Sequence, residues 1–189
     1  MPRTTPSAPP RRSRSAPAAE IPPALSVDAE ARIRALRLAA HPEGGWFREV
    51  YRSPERVGRD GLPERFSGSR SLATSILYLL AAGERSHFHR LRADEVWCHH
   101  AGGAVHLHLL GHGGARTLVV GADTPQAIVP HGSWFAAEPE PGAAFALVGC
   151  FVTPGFEYGD FELAERGALL AEFPDQRSLV TKFTREVGP

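Results

Sequence analysis

Apolar and polar side chains alternate with a period of two along most of this chain. The alternation begins at Trp46 and recurs in short runs at 46–52, 71–80, 86–89, 94–100, 104–110, 116–120, 126–129, 133–137 and 144–152. A period of two sends successive side chains to opposite faces of an extended strand. Turn-forming sequences separate many of the runs: AGG at 101–103, GHGG at 111–114, PHG at 130–132 and EPEPG at 138–142. Many short strands with close turns predict an all-β sandwich or barrel. Before them, Ser26 is placed to cap a helix, Asp28 falls in its first turn, and Ile33, Leu36 and Ala40 follow at helical spacing. That short helix ends before His41-Pro42. Residues 53–70 read as a long polar loop, and 160–173 as a short helix or an irregular edge strand.

Composition adds boundaries. The 189 residues suffice for one domain and a tail. Residues 1–24 are rich in Pro, Arg and Ser and too poor in apolar side chains to order themselves. They are predicted to be a disordered tail, followed by the domain at 25–175 and a C-terminal extension at 176–189. Formal net charge is zero, which gives no draw toward nucleic acid or an acidic membrane. The tail arginines have no interleaved aromatics, so a solvated tail is expected rather than a nucleic-acid arm. No apolar run approaches a membrane span, and the start lacks a secretory apolar region. A cytoplasmic protein is expected, with Cys98 and Cys150 as reduced thiols.

The chemistry concentrates in GERSHFHRLRADEVWCHHAGG, residues 83–103. On a strand His87 and His89 share a face, and on the returning strand so do Glu95, Trp97 and His99. If the two strands are neighbours, His87, His89 and Glu95 converge as a ligand set for a divalent metal: Fe, Mn, Zn or Ni. His106 and His108 repeat the spacing in AVHLHLLG, so the His-x-His pattern alone is weak. GxGxxG, P-loop and GxSxG motifs are absent from the sequence.

The block 83–103 resembles the first motif of the cupin superfamily, and VPHGSWF at 129–135 resembles the second. More narrowly, LRLAAHPEGGWFREVYRS, SHFHRLRADEVW, PQAIVPHGSW and GCFVTPGFEYGDFEL resemble one small cupin family known as a domain of unknown function. The resemblance spans nearly everything from 26 to 175. It implies a double-stranded β-helix, the cupin jelly-roll barrel, with a short N-terminal helix, commonly paired as a homodimer. This chain departs from the metal-binding pattern. Phe135 stands where those cupins place their last histidine, and His87 sits at a variable place of the narrower motif. Cupins similar to nucleotide-sugar epimerases use no metal; a barrel histidine is the base and a tyrosine the acid. Carried over, His89 is the base, Glu95 its orienting partner, and Tyr51 or Tyr78 the acid.

These readings give three alternatives. The first is a small-molecule pocket in the barrel with isomerase or epimerase-like chemistry on a carbohydrate or nucleotide-sugar-like ligand. The second is a metal-dependent dioxygenase or isomerase using His87, His89 and Glu95, and the third a non-catalytic barrel. Period two sorts the first strand into Phe47, Glu49 and Tyr51 facing the pocket, and Trp46, Arg48, Val50 and Arg52 facing outward. Phe47, Glu49, Trp97, His99 and Phe135 are expected to contact the ligand. Glu157 and Asp160 are assigned to a turn anchored by Phe156 and Phe161, and Arg85 and Arg90 to exposed strand ends.

Overall fold

A computed structural model describes residues 26–111 and 113–185 of the chain. The predicted tail at 1–24, His112 of the GHGG turn and residues 186–189 of the extension lie outside the described residues. Helix α1 (Val27–Leu36) opens it, with the Ser26 hydroxyl accepting from the Ala29 amide at 3.2 Å as its cap. The strands are β1 (Ala39–Ala40), β2 (Trp46–Arg52), β3 (Arg56–Val57), β4 (Arg70–Ser71), β5 (Thr74–Ala81), β6 (Ser86–Leu91) and β7 (Asp94–Gly102). They continue as β8 (Val105–Gly111), β9 (Gly114–Val120), β10 (Gln126–Val129), β11 (Trp134–Pro139), β12 (Phe145–Thr153) and β13 (Phe161–Leu163). Helices α2 (Arg166–Glu172) and α3 (Arg177–Lys182) follow.

Two antiparallel sheets form the body, ordered β1-β2-β5-β12-β7-β10 and β13-β6-β11-β8-β9, with β3-β4 as a small third sheet. Leu80, Trp97 and Val148 of the first sheet join Leu107, Leu109 and Phe135 of the second in one buried cluster. The inner faces therefore close on each other as a jelly-roll barrel, the solution that leaves each sheet one face to bury. The outer faces are partly covered by helices. Ala29 and Ile33 of α1 pack on Trp46, Leu79 and Leu147. Leu169 of α2, Val180 of α3 and Phe183 pack on Phe88, Leu110 and Trp134. Residues beyond 175 thus continue this outer layer, and Phe183 is fully buried.

The long polar loop at 53–70 proves to be tethered at three points. Leu62 and Phe66 enter the barrel core, and Arg70 makes a buried two-pronged ion pair with Asp160, 2.5 Å from Nε and 2.7 Å from Nη2. Isolated apolar residues in a polar run carry no period, so the sequence pattern missed them. The segment 160–173 resolves into both expected forms, strand β13 and then helix α2.

Candidate active site

The turn His41–Gly45 carries a glutamate into the barrel. Gly44 and Gly45 have φ of +112° and +70°. A Cβ on Gly44 would lie 2.2 Å from the Arg85 carbonyl oxygen, and one on Gly45 would lie 2.8 Å from that of Leu79. Only glycine fits a turn pressed this closely against the strands. The Glu43 carbonyl accepts from the His87 amide at 2.8 Å and the Gly44 carbonyl from the Tyr78 hydroxyl at 2.6 Å, which fixes Glu43 between the sheets.

Glu43 lines a cavity of ≈ 100 Å³ within the barrel. His41, Tyr78, His89, Glu95 and Trp97 line its deep part, and Glu49, Arg52, Glu157 and Tyr158 its mouth. Glu43 Oε2 lies 3.1 Å from His89 Nε2 and 3.4 Å from His41 Nδ1, while Oε1 accepts from the Ser86 hydroxyl at 2.9 Å. His89 Nδ1 is 2.7 Å from the His87 carbonyl. A carbonyl only accepts, so Nδ1 carries the proton, and Nε2 of a neutral ring presents its lone pair to Glu43. The pair shares one further proton and is net neutral with it on either partner. Burial pushes Glu43 up and His89 down to about 4, which favours the uncharged form, Glu43 donating to His89.

Glu95 is held separately. Its Oε2 accepts from Trp97 Nε1 at 3.0 Å. Burial, the largest cause, pushes it up to about 8, and ionisation of Glu43 would push the same way, so it is a protonated acid at neutral pH. Burial also raises Tyr78 and Cys150, another wall residue, well above their ordinary values. The mouth is charged: Arg52 makes a two-pronged pair with Glu49 at 3.0 and 2.7 Å and reaches Glu157 at 3.2 Å.

Of the residues expected from sequence, Phe47, Glu49, His89, Glu95 and Trp97 line this cavity. Tyr51 does not. A register shift in β2, where Glu49 pairs with Ile76 but Tyr51 with Ser75, inserts Val50 as an extra residue. A bulge reverses the faces beyond it, so Tyr51 is turned out and 48% exposed while Arg52 takes the inner position assigned to Tyr51. Tyr78, the alternative acid, has its proton committed to Gly44. The partner of His89 is Glu43 rather than Glu95. His87 also leaves the group: β6 is irregular against β11 between Ser86 and His89, and the His87 ring sits 2.6 Å from the Glu43 carbonyl. The set His87, His89 and Glu95 therefore does not converge, and no group of three or more His, Cys, Asp or Glu among the described residues is arranged to hold a metal ion. His99 keeps its face but sits roughly 13 Å beyond Glu95 along the strand, where its ring meets the Gly102 and Gly103 carbonyls at 3.3 and 3.2 Å. Phe135 packs behind His89 with ring centres 4.0 Å apart and is fully enclosed. Asp160 is bound to Arg70, whereas Glu157, Phe156 and Phe161 line the cavity.

The sequence reading missed His41, Glu43 and Arg52. The signal for the first two was an acid placed between a proline and two glycines, a position that puts it wherever the turn docks.

The family described as cupin superfamily (DUF985) matches residues 30–164. The chain belongs to this family. Solved structures similar to this chain include a protein from Shewanella oneidensis, 40% identical, with 83% of this chain and 97% of that one covered at a TM-score of 0.73. A hypothetical protein from Leishmania major is 32% identical, with coverage of 84% and 99% and a TM-score of 0.74. CapF, solved with the inhibitor 3-isopropenyl-tropolone, shares the fold alone, at 15% identity, coverage of 68% and 33%, and a TM-score of 0.50. No curated protein matches the chain. Among the described residues of this DUF985 protein, no helix is long and apolar enough to cross a membrane.

Proposed function

We propose that the barrel catalyses proton transfer, as an isomerase or epimerase acting on a small carbonyl-bearing ligand of carbohydrate type. The observation that carries this reading is the buried His89–Glu43 pair, 3.1 Å apart, in one cavity with the protonated Glu95. A proton leaves carbon next to the substrate carbonyl for the His89–Glu43 pair, which becomes imidazolium and carboxylic acid. Glu95 gives its proton to the carbonyl oxygen, and an enol forms. Return of a proton to the opposite face, or to the neighbouring carbon, yields the isomer and restores both groups. Trp97 Nε1 and the Cys150 thiol hold the Glu95 carboxyl against the cavity wall.

The cavity supports a small reacting group. At ≈ 100 Å³ it is below the roughly 150 Å³ that holds a benzene ring, so a larger ligand extends past Tyr158. The test is incorporation of solvent deuterium, read by mass spectrometry, across aldoses, ketoses, sugar acids and nucleotide sugars that raise the unfolding temperature. One ligand gaining deuterium with wild type and none with His89→Ala is the expected result. Ligands that bind without exchange or isomer formation would make the barrel a binding protein.

The reading includes a homodimer. Tyr51, Ile128 and Phe151 are exposed on strands β2, β10 and β12 of the six-stranded sheet, and light scattering of the full chain tests it.

A further inference from the structure

A second groove of ≈ 430 Å³ borders the cavity and shares Leu91 and Phe161 with it. Arg65, Arg90, Arg92 and His131 line it. Its acids are already engaged. Asp160 is bound by Arg70, Glu162 by Arg90 at 2.8 and 3.1 Å, and Asp94 by the His131 ring and amide, each at 2.8 Å.

Arg65 and Arg92 differ from the other groove arginines. Arg65 Nε donates to the Arg92 carbonyl at 2.7 Å, and Arg92 Nη1 donates to the Arg65 carbonyl at 2.6 Å. The Arg65 guanidinium also lies 5.0 Å from the Phe66 ring centre. Each side chain is thus held by a backbone oxygen, and among the described residues neither forms an ion pair, although Arg65 lies near enough to Asp94 to help hold that carboxyl below its usual range. Both terminal nitrogens of Arg65 remain for another acceptor, as do Nε and Nη2 of Arg92. With Arg70 counted beside the Asp160 it neutralises, the four arginines around the groove exceed the three acids, Asp94 included, by one positive charge. Two guanidiniums immobilised before binding lose little rotamer freedom when an oxyanion arrives, and their planar forks match tetrahedral oxygens.

We propose that this groove is a binding site for a phosphoryl group, with Arg65 and Arg92 as its two anchors. The neutral deep cavity and the basic groove then divide the labour, the first taking an uncharged reacting body and the second a phosphorylated one. The anion site stands whether or not the barrel is catalytic.

Titration of the full chain at low salt with inorganic pyrophosphate, followed by calorimetry and phosphorus NMR, tests the site. Wild type should bind one equivalent saturably. Arg65→Gln and Arg92→Gln should each weaken binding about ten-fold, and the double variant about a hundred-fold. Arg116→Gln, on β9 outside the groove, should leave it unchanged. So should His89→Ala, which separates this result from the fate of the proton-transfer reading. The proposal is overturned by absence of saturable binding, by wild-type affinity in the folded double variant, or by equal weakening in Arg116→Gln. Should the glutamine pair unfold, Arg65→Lys with Arg92→Lys decides. That pair keeps the charge and loses the forks, and wild-type affinity in it would equally overturn the site.

Discussion

The Glu43 carboxylate and the His89 imidazole meet 3.1 Å apart with 6% and 2% of their surfaces exposed. Among the described residues no Lys or Arg forms an ion pair with either, and the contact holds together because one proton serves both. A carboxylate alone at this depth would cost several kcal/mol of lost hydration. The pair instead stays neutral and ready to accept a second proton.

Glu43→Gln separates these roles. The amide nitrogen still donates to His89 Nε2 and the amide oxygen still accepts from Ser86, so the unfolding temperature should stay within a few degrees of wild type. The relay is lost, and deuterium exchange should slow by about 10²–10⁴. Exchange at the wild-type rate would remove Glu43 from the chemistry.

The rate should depend on pH through both buried acids and bases. His89, at about 4, must be unprotonated to accept, and Glu95, at about 8, must be protonated to donate. The kcat/KM profile should therefore be flat between these values and fall on either side. In Glu95→Gln the alkaline limb near 8 should vanish along with most of the activity.

Stability should report Glu95 independently of any substrate. Its folded pKa is raised, so below about pH 4.5 both folded and unfolded chains hold its proton. Between about 4.5 and 8 the unfolded chain alone loses it, and stability falls as pH rises. Glu95→Gln has no such loss and still accepts from Trp97. Its advantage over wild type should grow across that window to about 2–4 kcal/mol at pH 8. Denaturant unfolding at pH 5 and pH 8 measures the difference, and an advantage confined to pH 5 would contradict the assignment.

Gly44→Ala should destabilise by about 3–5 kcal/mol, since a Cβ there meets a backbone carbonyl and the turn needs positive φ. Because the turn places Glu43, ligand binding should weaken further than the lost stability explains. An alanine variant with wild-type melting would show that the turn can move aside.

Treatment with a chelator should leave exchange unchanged, since His87 is turned away from His89 and Glu95. Loss of exchange, restored by added Mn or Fe, would instead assign a metal.

The alternation from Trp46 onward determined the strands, and with the HPEGG and PGFEYGDF segments the jelly roll. It also placed Phe47, Glu49, Trp97 and Glu95 facing inward, because period two is kept as long as no residue is added. Tertiary structure decided the rest wherever that phase broke. The extra residue at Val50 exchanged Tyr51 for Arg52, and the irregularity in β6 parted His87 from His89. His99 kept the phase but lay too far along β7. Glu43 and His41 belong to a turn, which has no period, and their place was set by how closely Gly44 and Gly45 allow it to approach β5 and the β5–β6 connection. Local pattern fixes which way a side chain points along an unbroken strand; only packing decides which side chains from different segments meet, and so where a proton can be shared.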